Sequence, residues 1–453
     1  MADSGTALER LGIGLAGEAF AQATAGVREA VTLHVADTVA AWIAGAATGE
    51  GQRLIRFRQG LGVEADDAAA NVMTHCAVTR LSEIDDIHPA SMITPGSIVV
   101  PAVLEIAAAL RVSHPGKLAV AIAAGYEAMV RLGRAVDGPA ILYRGIWPTC
   151  FAASFGVAAS AARLMDLDAT QTAHALGMAL TVATPGVAQP PGAATSRWLA
   201  AGIAARDGLA AAQAAKAGFV ADLKLFEGNF LPGIYNITPD LAALVDGIGT
   251  SPAIATTSFK PWCAARQTMA ATQAFKDILQ VVDTDDIFDI TAHVLPPHLR
   301  MVDHGIQAGD RISYLTSLPY QMAVAVLAPE AGFDVGKAAP SMSPAITALM
   351  AKITVKADEA LLADYPRIWR GRVTVSAKSG RHERAVNDVP GDLARPLSAK
   401  DIAGKFQRLA TPVIGADDAA RMLDACFHIL DESGAVRRLL DRIEALYDER
   451  SEA

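Results

Sequence analysis

The sequence predicts a mainly α protein: a large all-helical domain with a smaller α+β domain set into its C-terminal half. Three observations carry this prediction. Hydrophobic residues make up 52% of the 453 positions but aromatics only 6%, and the excess is largely alanine, the best helix former and a side chain small enough to let helices approach closely. Up to about residue 225 the apolar positions recur at three- and four-residue spacing, whereas beyond Thr256 several segments alternate with period two. A chain of this length also exceeds what one hydrophobic core ordinarily serves, so two domains are expected.

Taken in order, Val27–Ala46 places Val27, Val31, Leu33, Val35, Val39 and Trp42 at helical spacing and ends in Gly-Ala-Ala-Thr-Gly. Leu118–Leu132, Phe151–Met165, Asp168–Leu180 and Leu199–Ala217 read the same way, and an apolar helix is expected to start near Pro101. Helices apolar on nearly every side are buried among other helices. Period-two alternation then predicts strands at Ile287–Leu295, Ala351–Val355 and Arg372–Ala377. The last runs through Lys378-Ser379-Gly380-Arg381 into His382–Val389, a hairpin signal. A helix with Tyr320 near its start should cross between strands. Helical spacing returns at Ala399–Phe406, Asp417–Asp431 and Val436–Tyr447. The division expected is therefore 1–265 helical, 266–398 α+β, and 399–453 helical and returning to the first domain.

Composition narrows the function classes. The net charge of −9 and the lack of a Lys/Arg-rich stripe argue against a nucleic-acid partner. No run of about 20 residues is free of charge, proline and clustered glycine, as a membrane span requires; the longest candidates are interrupted by Glu105 and Glu127. The first ten residues carry an acid and lack a basic region followed by an apolar stretch, unlike a signal peptide. Cys76, Cys150, Cys263 and Cys426 are scattered without short spacing, so neither a zinc site nor a disulfide framework is suggested, and a cytoplasmic location fits. No His-x₃-His pair marks a metal site; His293, His298 and His304 read as solvent-facing. Gly12-Ile-Gly-Leu-Ala-Gly17 matches the dinucleotide fingerprint formally but lacks the preceding strand that the fingerprint needs.

The stretch from Ser82 to Pro101 is chemically the densest. Glu83, Asp85, Asp86 and His88 fall within six positions, ahead of a Pro/Gly-broken loop and an apolar helix. Crowding separates the pKa values of like groups, so one can serve as acid and another as base; the competing reading is a solvated turn with an Asp capping a helix. Tyr143-Arg144-Gly-Ile-Trp147 puts a phenol, a guanidinium and an indole in one interhelical loop, and arginine suits a dicarboxylate. Arg197 precedes a helix, where a cation opposes the helix dipole and is better explained as an anion ligand. Lys260, between Phe259 and Pro261-Trp262, is a candidate for a desolvated base, with Arg266 six residues on. Ser317-Leu-Pro-Tyr320 opens a buried helix and carries a phenol to its end.

In this order the motifs resemble the MmgE/PrpD family across nearly the whole chain: Glu83-Ile-Asp-Asp followed by Pro95-Gly-Ser-Ile-Val-Val-Pro-Ala, Ala-Gly-Tyr126-Glu-Ala, Gly145-Ile-Trp-Pro-Thr, Ala217-Gly-Phe219, Ser258-Phe-Lys-Pro and Ser317-Leu-Pro-Tyr320. The resemblance implies that the α+β part is a lid, that the protein is a homodimer, and that no metal or organic cofactor is used. It also implies activity at the carbon beside a carboxylate of a small di- or tricarboxylate: dehydration, decarboxylation or epimerisation. Lys260 and Tyr320 match the family's active-site lysine and tyrosine, and Glu83, Asp85 and Asp86 its acidic motif. Three departures stand out. The family's dehydratases and decarboxylases usually carry a His where this chain has Thr94, and another where it has Trp147; their substrate-loop lysine corresponds to Arg197. Dehydration and decarboxylation both need an acid to deliver a proton, a task suited to histidine. Epimerisation needs one group to remove the α-proton and another to return it. The expectation is thus an epimerase of iminodisuccinate character. Lys260, Tyr143, His88, Asp86 and Tyr320 would carry protons, and Asp85, Glu83, Arg144, Arg197, Arg266 and Trp147 would line the substrate. The rivals are a 2-methylcitrate-type dehydratase using His88, a cis-aconitate-type decarboxylase, and a binding scaffold without turnover.

Overall fold

The computed structural model describes residues 5–17, 20, 23–188, 194–336 and 340–451. The fold is mainly α with a smaller α+β part, as the composition and periodicity predict. The chain forms two compact units. One gathers the described residues of 5–188, Thr195–Thr257 and 398–451; the other holds Ser258–Leu397.

The first unit opens with α1 (Ala7–Ala16), α2 (Ala25–Ala46), α3 (Gly49–Gln59), α4 (Ala68–Arg80), α5 (Gly96–Ala109) and α6 (Pro115–Ala135). It continues through α7 (Gly138–Tyr143), α8 (Pro148–Leu164), α9 (Ala169–Thr181), α10 (Ser196–Lys216) and the short α11 (Leu241–Val245). Starts follow capping chemistry: Thr24 accepts from Val27 N–H before α2, Asp67 from Ala70 N–H before α4, and Pro148 occupies the first turn of α8. α4, α8 and α10 pack closely because glycines remove side chains at the crossings. A Cβ on Gly202 of α10 would lie 2.0 Å from the Met73 carbonyl oxygen, and one on Gly208 2.3 Å from that of Ser154. The Gly12–Gly17 match lies on α1 and its cap, with no strand before it among the described residues. α5 starts at Gly96 rather than near Pro101, because the Asp86 carboxylate accepts the Gly96 N–H and so nucleates the turn ahead of the proline.

The second unit contains α12 (Arg266–Ile278), β1 (Ile287–Val294), α13 (Pro296–Val302), α14 (Arg311–Thr316), α15 (Leu318–Leu327), α16 (Pro344–Ala351), β2 (Ile353–Ala357), β3 (Gly371–Ala377) and β4 (Gly380–Val386). The sheet order is β2-β1-β3-β4. β1 runs parallel to β2, which α15 and α16 make possible by crossing over, and antiparallel to β3. Lys378-Ser379 forms the hairpin turn, with Gly380 at φ 116°. Ile290, Ala292, Val373 and Val375 face a core shared with Met269, Phe275, Tyr320 and Met322. α17 (Ala399–Ile414), α18 (Ala416–Phe427) and α19 (Ala435–Ser451) belong to the first unit, α17 packing on α2 and α19 on α5. Among the described residues no single helix is long and apolar enough to cross a membrane; α2 and α3 together reach that composition but bend by 86°.

Candidate functional site

In the first unit the acidic motif is a turn stitched to its surroundings. Arg80, at the end of α4, contacts Glu83 at 3.2 Å and Asp85 at 3.3 Å; Glu83 keeps some exposure, while Asp85 is fully buried. Asp86 is enclosed as well. Oδ1 accepts the Gly96 N–H at 2.9 Å, Oδ2 accepts the Tyr126 hydroxyl at 2.6 Å, and His34 Nδ1 lies 2.8 Å from Oδ2. Burial, then the Asp86 charge, pushes the Tyr126 phenol well up, which keeps it a donor. The Nε2 of His34 faces the Ile254 carbonyl at 3.1 Å. From α17, the buried Lys405 ammonium meets Asp37 Oδ1 at 2.6 Å and donates to the Ile84 carbonyl at 2.7 Å. Desolvation raises the pKa of Asp37, and Lys405 opposes that rise. His34, Arg80 and Lys405 are absent from the sequence-derived site. The available signal was a charged residue on an otherwise apolar face, as Lys405 is between Ile402, Phe406 and Leu409.

His88 is partly exposed on the same loop, its Nδ1 2.9 Å from Ser91 Oγ and its N–H donating to the Ile93 carbonyl. Desolvation first, and the Arg134 charge second, lower its pKa to about 4, so it is neutral at pH 7 and able to accept a proton. Thr94 sits where the family's lyases usually have histidine; it is buried, its N–H donates to Thr149 Oγ1 at 3.1 Å, and the two hydroxyls pair at 3.0 Å. Trp147, buried at the start of α8, lies under two guanidinium groups: Arg197 is 4.3 Å from its ring centre and Arg80 is 5.2 Å away. Arg197 also contacts Trp198 at 4.7 Å and is only 7% exposed. A guanidinium stripped of water and flanked by indoles is a strong, directional anion partner. Tyr143 closes α7 and is half-buried. Arg144 is exposed and donates to the carbonyls of Asn236 and Tyr235 at 3.0 and 2.5 Å. The first unit therefore brings together Glu83, Asp85, Arg80, Trp147 and Arg197, and ties Asp86 to a separate set of buried partners.

In the second unit Lys260 is buried on a segment pinned by Phe259 N–H to Gly391 O and Cys263 N–H to Gly332 O. Arg266 begins α12, 2% exposed. Its Nη2 donates to Asp392 at 2.5 Å, its guanidinium lies 5.7 Å from the Trp369 ring centre, and its Nε and Nη1 have no hydrogen-bond partner among the described residues. Tyr320, on α15, is buried, and its hydroxyl oxygen accepts the Ser341 N–H at 2.9 Å; desolvation raises its pKa, favouring the protonated phenol. One sequence reading is corrected here. His298 is not solvent-facing: Pro296-Pro297 turn the chain into α13 directly after β1, and the ring is 1% exposed, edge-on to Trp369 and Tyr365. Burial, then Arg266, brings its pKa down to about 3. His293 and His304 are intermediate in exposure. Among the described residues no group of three or more His, Cys, Asp or Glu is arranged to hold a metal ion.

The chain belongs to the MmgE/PrpD family: residues 15–240 match the MmgE/PrpD N-terminal domain and residues 262–429 the MmgE/PrpD C-terminal domain. Members of the family are enzymes, among them dehydratases, decarboxylases and epimerases. A comparison with curated proteins finds no match.

Proposed function

We propose that the chain is a cofactor-independent epimerase that removes and returns the proton on the carbon alpha to a carboxylate of an imino- or amino-dicarboxylate such as iminodisuccinate. The observation that carries this reading is the pair of side chains at the positions where the family's lyases usually have histidine. Thr94 is buried against Thr149, and Trp147 is buried beneath Arg80 and Arg197. Neither can protonate a departing hydroxyl or a carbanion left by loss of carbon dioxide. Lys260, Tyr143, His88 and Tyr320 are the candidates to carry the proton; His88 is unprotonated at neutral pH, and burial favours the protonated Tyr320 phenol. Arg197 and Arg266 are the clamps that hold the carboxylates and stabilise the enolate-like charge. Arg144 is a weaker clamp, since both terminal nitrogens are engaged by carbonyls. Asp86 acts as a positioning residue for the α5 start, and Glu83 and Asp85 orient Arg80.

The test is to incubate one stereoisomer in deuterated water. Racemisation with deuterium at the α-carbon is expected; loss of water or carbon dioxide overturns the reading. Lys260→Ala and His88→Ala should each lower turnover by about 10²-fold or more, measured per folded molecule by circular dichroism. The runner-up is a dehydratase of a 2-methylcitrate-like acid in which His88 takes the missing acid role. A histidine titrating near 4 is a poor acid at neutral pH, and a rise in ultraviolet absorbance from a new conjugated double bond would select that alternative.

A further inference from the structure

The first unit contains a half-open groove that the proposed chemistry does not use. A cavity of about 440 Å³ lies where α19 crosses the end of α5, walled by Asp66, Asn71, Glu105, Arg111, Ser433 and Arg437 among others. Asn71 also lines a smaller space of about 160 Å³, shared with His75, Glu444 and Tyr447. Glu105 is the chief oddity: it is the one charged residue on the apolar helix α5, and it is only 4% exposed. A carboxylate taken out of water needs partners. Among the described residues its Oε1 has His75 Nδ1 at 2.8 Å and its Oε2 has the Asn71 amide at 3.3 Å, fewer partners than a carboxylate can accept.

Two further features make the floor of this cavity attractive to a cation. Asp66 lines the same wall, and Ala107–Ala109 bring the carbonyl end of α5 to it. At the rim the sign reverses. Arg437 keeps about half its side chain exposed while pairing with Asp441 at 2.6 Å and Glu444 at 3.5 Å, and Arg111 stands beyond the end of α5. A negative floor and a positive rim, in a volume fit for a small molecule, match a ligand that carries both charges.

We propose that this groove binds a small zwitterion, an α-amino acid, with its ammonium on Glu105 at the carbonyl end of α5 and its carboxylate on Arg437 and Arg111. The site is distinct from the acidic motif. Asp86 holds Gly96 at the start of α5, and Glu105 lies nine residues further along the same helix, about 13 Å away at the helical rise. The proposal does not depend on the epimerase reading, and its test does not measure turnover.

Titration calorimetry on the full chain, with L-serine as the zwitterion and ethanolamine and propionate as its single-charge halves, decides it. L-serine should bind, each half about tenfold more weakly or not at all, and Glu105→Gln should weaken L-serine by about tenfold. Arg437→Gln changes a half-exposed side chain and keeps the fold; it should weaken L-serine severalfold and leave ethanolamine unchanged. No heat with L-serine at millimolar concentration overturns the proposal. So does equal binding of L-serine and ethanolamine, or wild-type affinity in both variants.

Discussion

At Gly96 a hydrogen atom stands where any side chain would collide with the anchor of the acidic motif. A Cβ there would lie 2.7 Å from Asp86 Oδ2 and 2.8 Å from both Thr38 Oγ1 and Tyr126 Oη. Gly96→Ala should therefore cost about 1–3 kcal/mol, read as a lower urea midpoint with an unchanged slope. Tyr126→Phe should cost a similar amount, about 1–3 kcal/mol, since it strips one donor from a buried carboxylate; wild-type midpoints in both variants would mean that the carboxylate is not held as described. His298 sets a pH dependence of its own. Its pKa is depressed from 6.5 to about 3 in the folded chain, so the neutral ring is favoured by folding. That contribution is complete above the unfolded-state value and is lost as pH falls from about 6.5 towards 3. His298→Phe should flatten the acid limb of the stability curve across that window. An unaltered limb would assign acid unfolding to other groups.

Elements were legible in the sequence wherever one side chain pattern decided them. The spacing over 27–46 and 151–165, and the alternation over 287–295 and 372–377, lie within a few residues of α2, α8, β1 and β3. Periodicity marks which face of a helix is covered but not what covers it. Lys405 illustrates the limit: its place on the apolar stripe of α17 is visible, whereas Asp37 and the Ile84 carbonyl lie more than 300 residues away and become partners only when α17 packs on α2. His298 escapes for a related reason: the Pro296-Pro297 pair ahead of it ends the strand but also opens α13, which carries the ring inward. Of the site, the residue types on the acidic motif and the arginine-tryptophan loops could be read directly, but the burial that makes Asp86 an anchor and Arg197 a desolvated cation could not. The Lys405–Asp37 pair allows a test at this scale. Lys405→Met leaves an uncompensated buried carboxylate and should cost about 3–5 kcal/mol, while adding Asp37→Leu should restore most of it. If the double variant is no better than the single one, the pair is not what fastens α17 to α2.

For the whole molecule, the family resemblance implies a homodimer, and the first unit carries a surface suited to one. Phe219, Val220 and Ile234 are 67%, 76% and 65% exposed, and Val182 and Val187 nearly half. Large exposed apolar groups mark an association surface where they form one contiguous patch. Two contacts tie them to one helix: Ala221 N–H donates to His174 Nδ1 within α9, and the Tyr235 hydroxyl donates to the Ala183 carbonyl just past its end. The segments bearing Phe219-Val220 and Ile234 are thus fixed along α9, roughly 12–14 Å apart by the helical rise, which is within the span of an ordinary interface. On this argument the wild-type chain should sediment at twice the monomer mass, and Phe219→Ser with Val220→Ser and Ile234→Ser should shift it to monomer without lowering its helical circular dichroism. A wild-type chain that sediments as a monomer at micromolar concentration would remove the dimer, and a triple variant that stays dimeric would move the interface to another face.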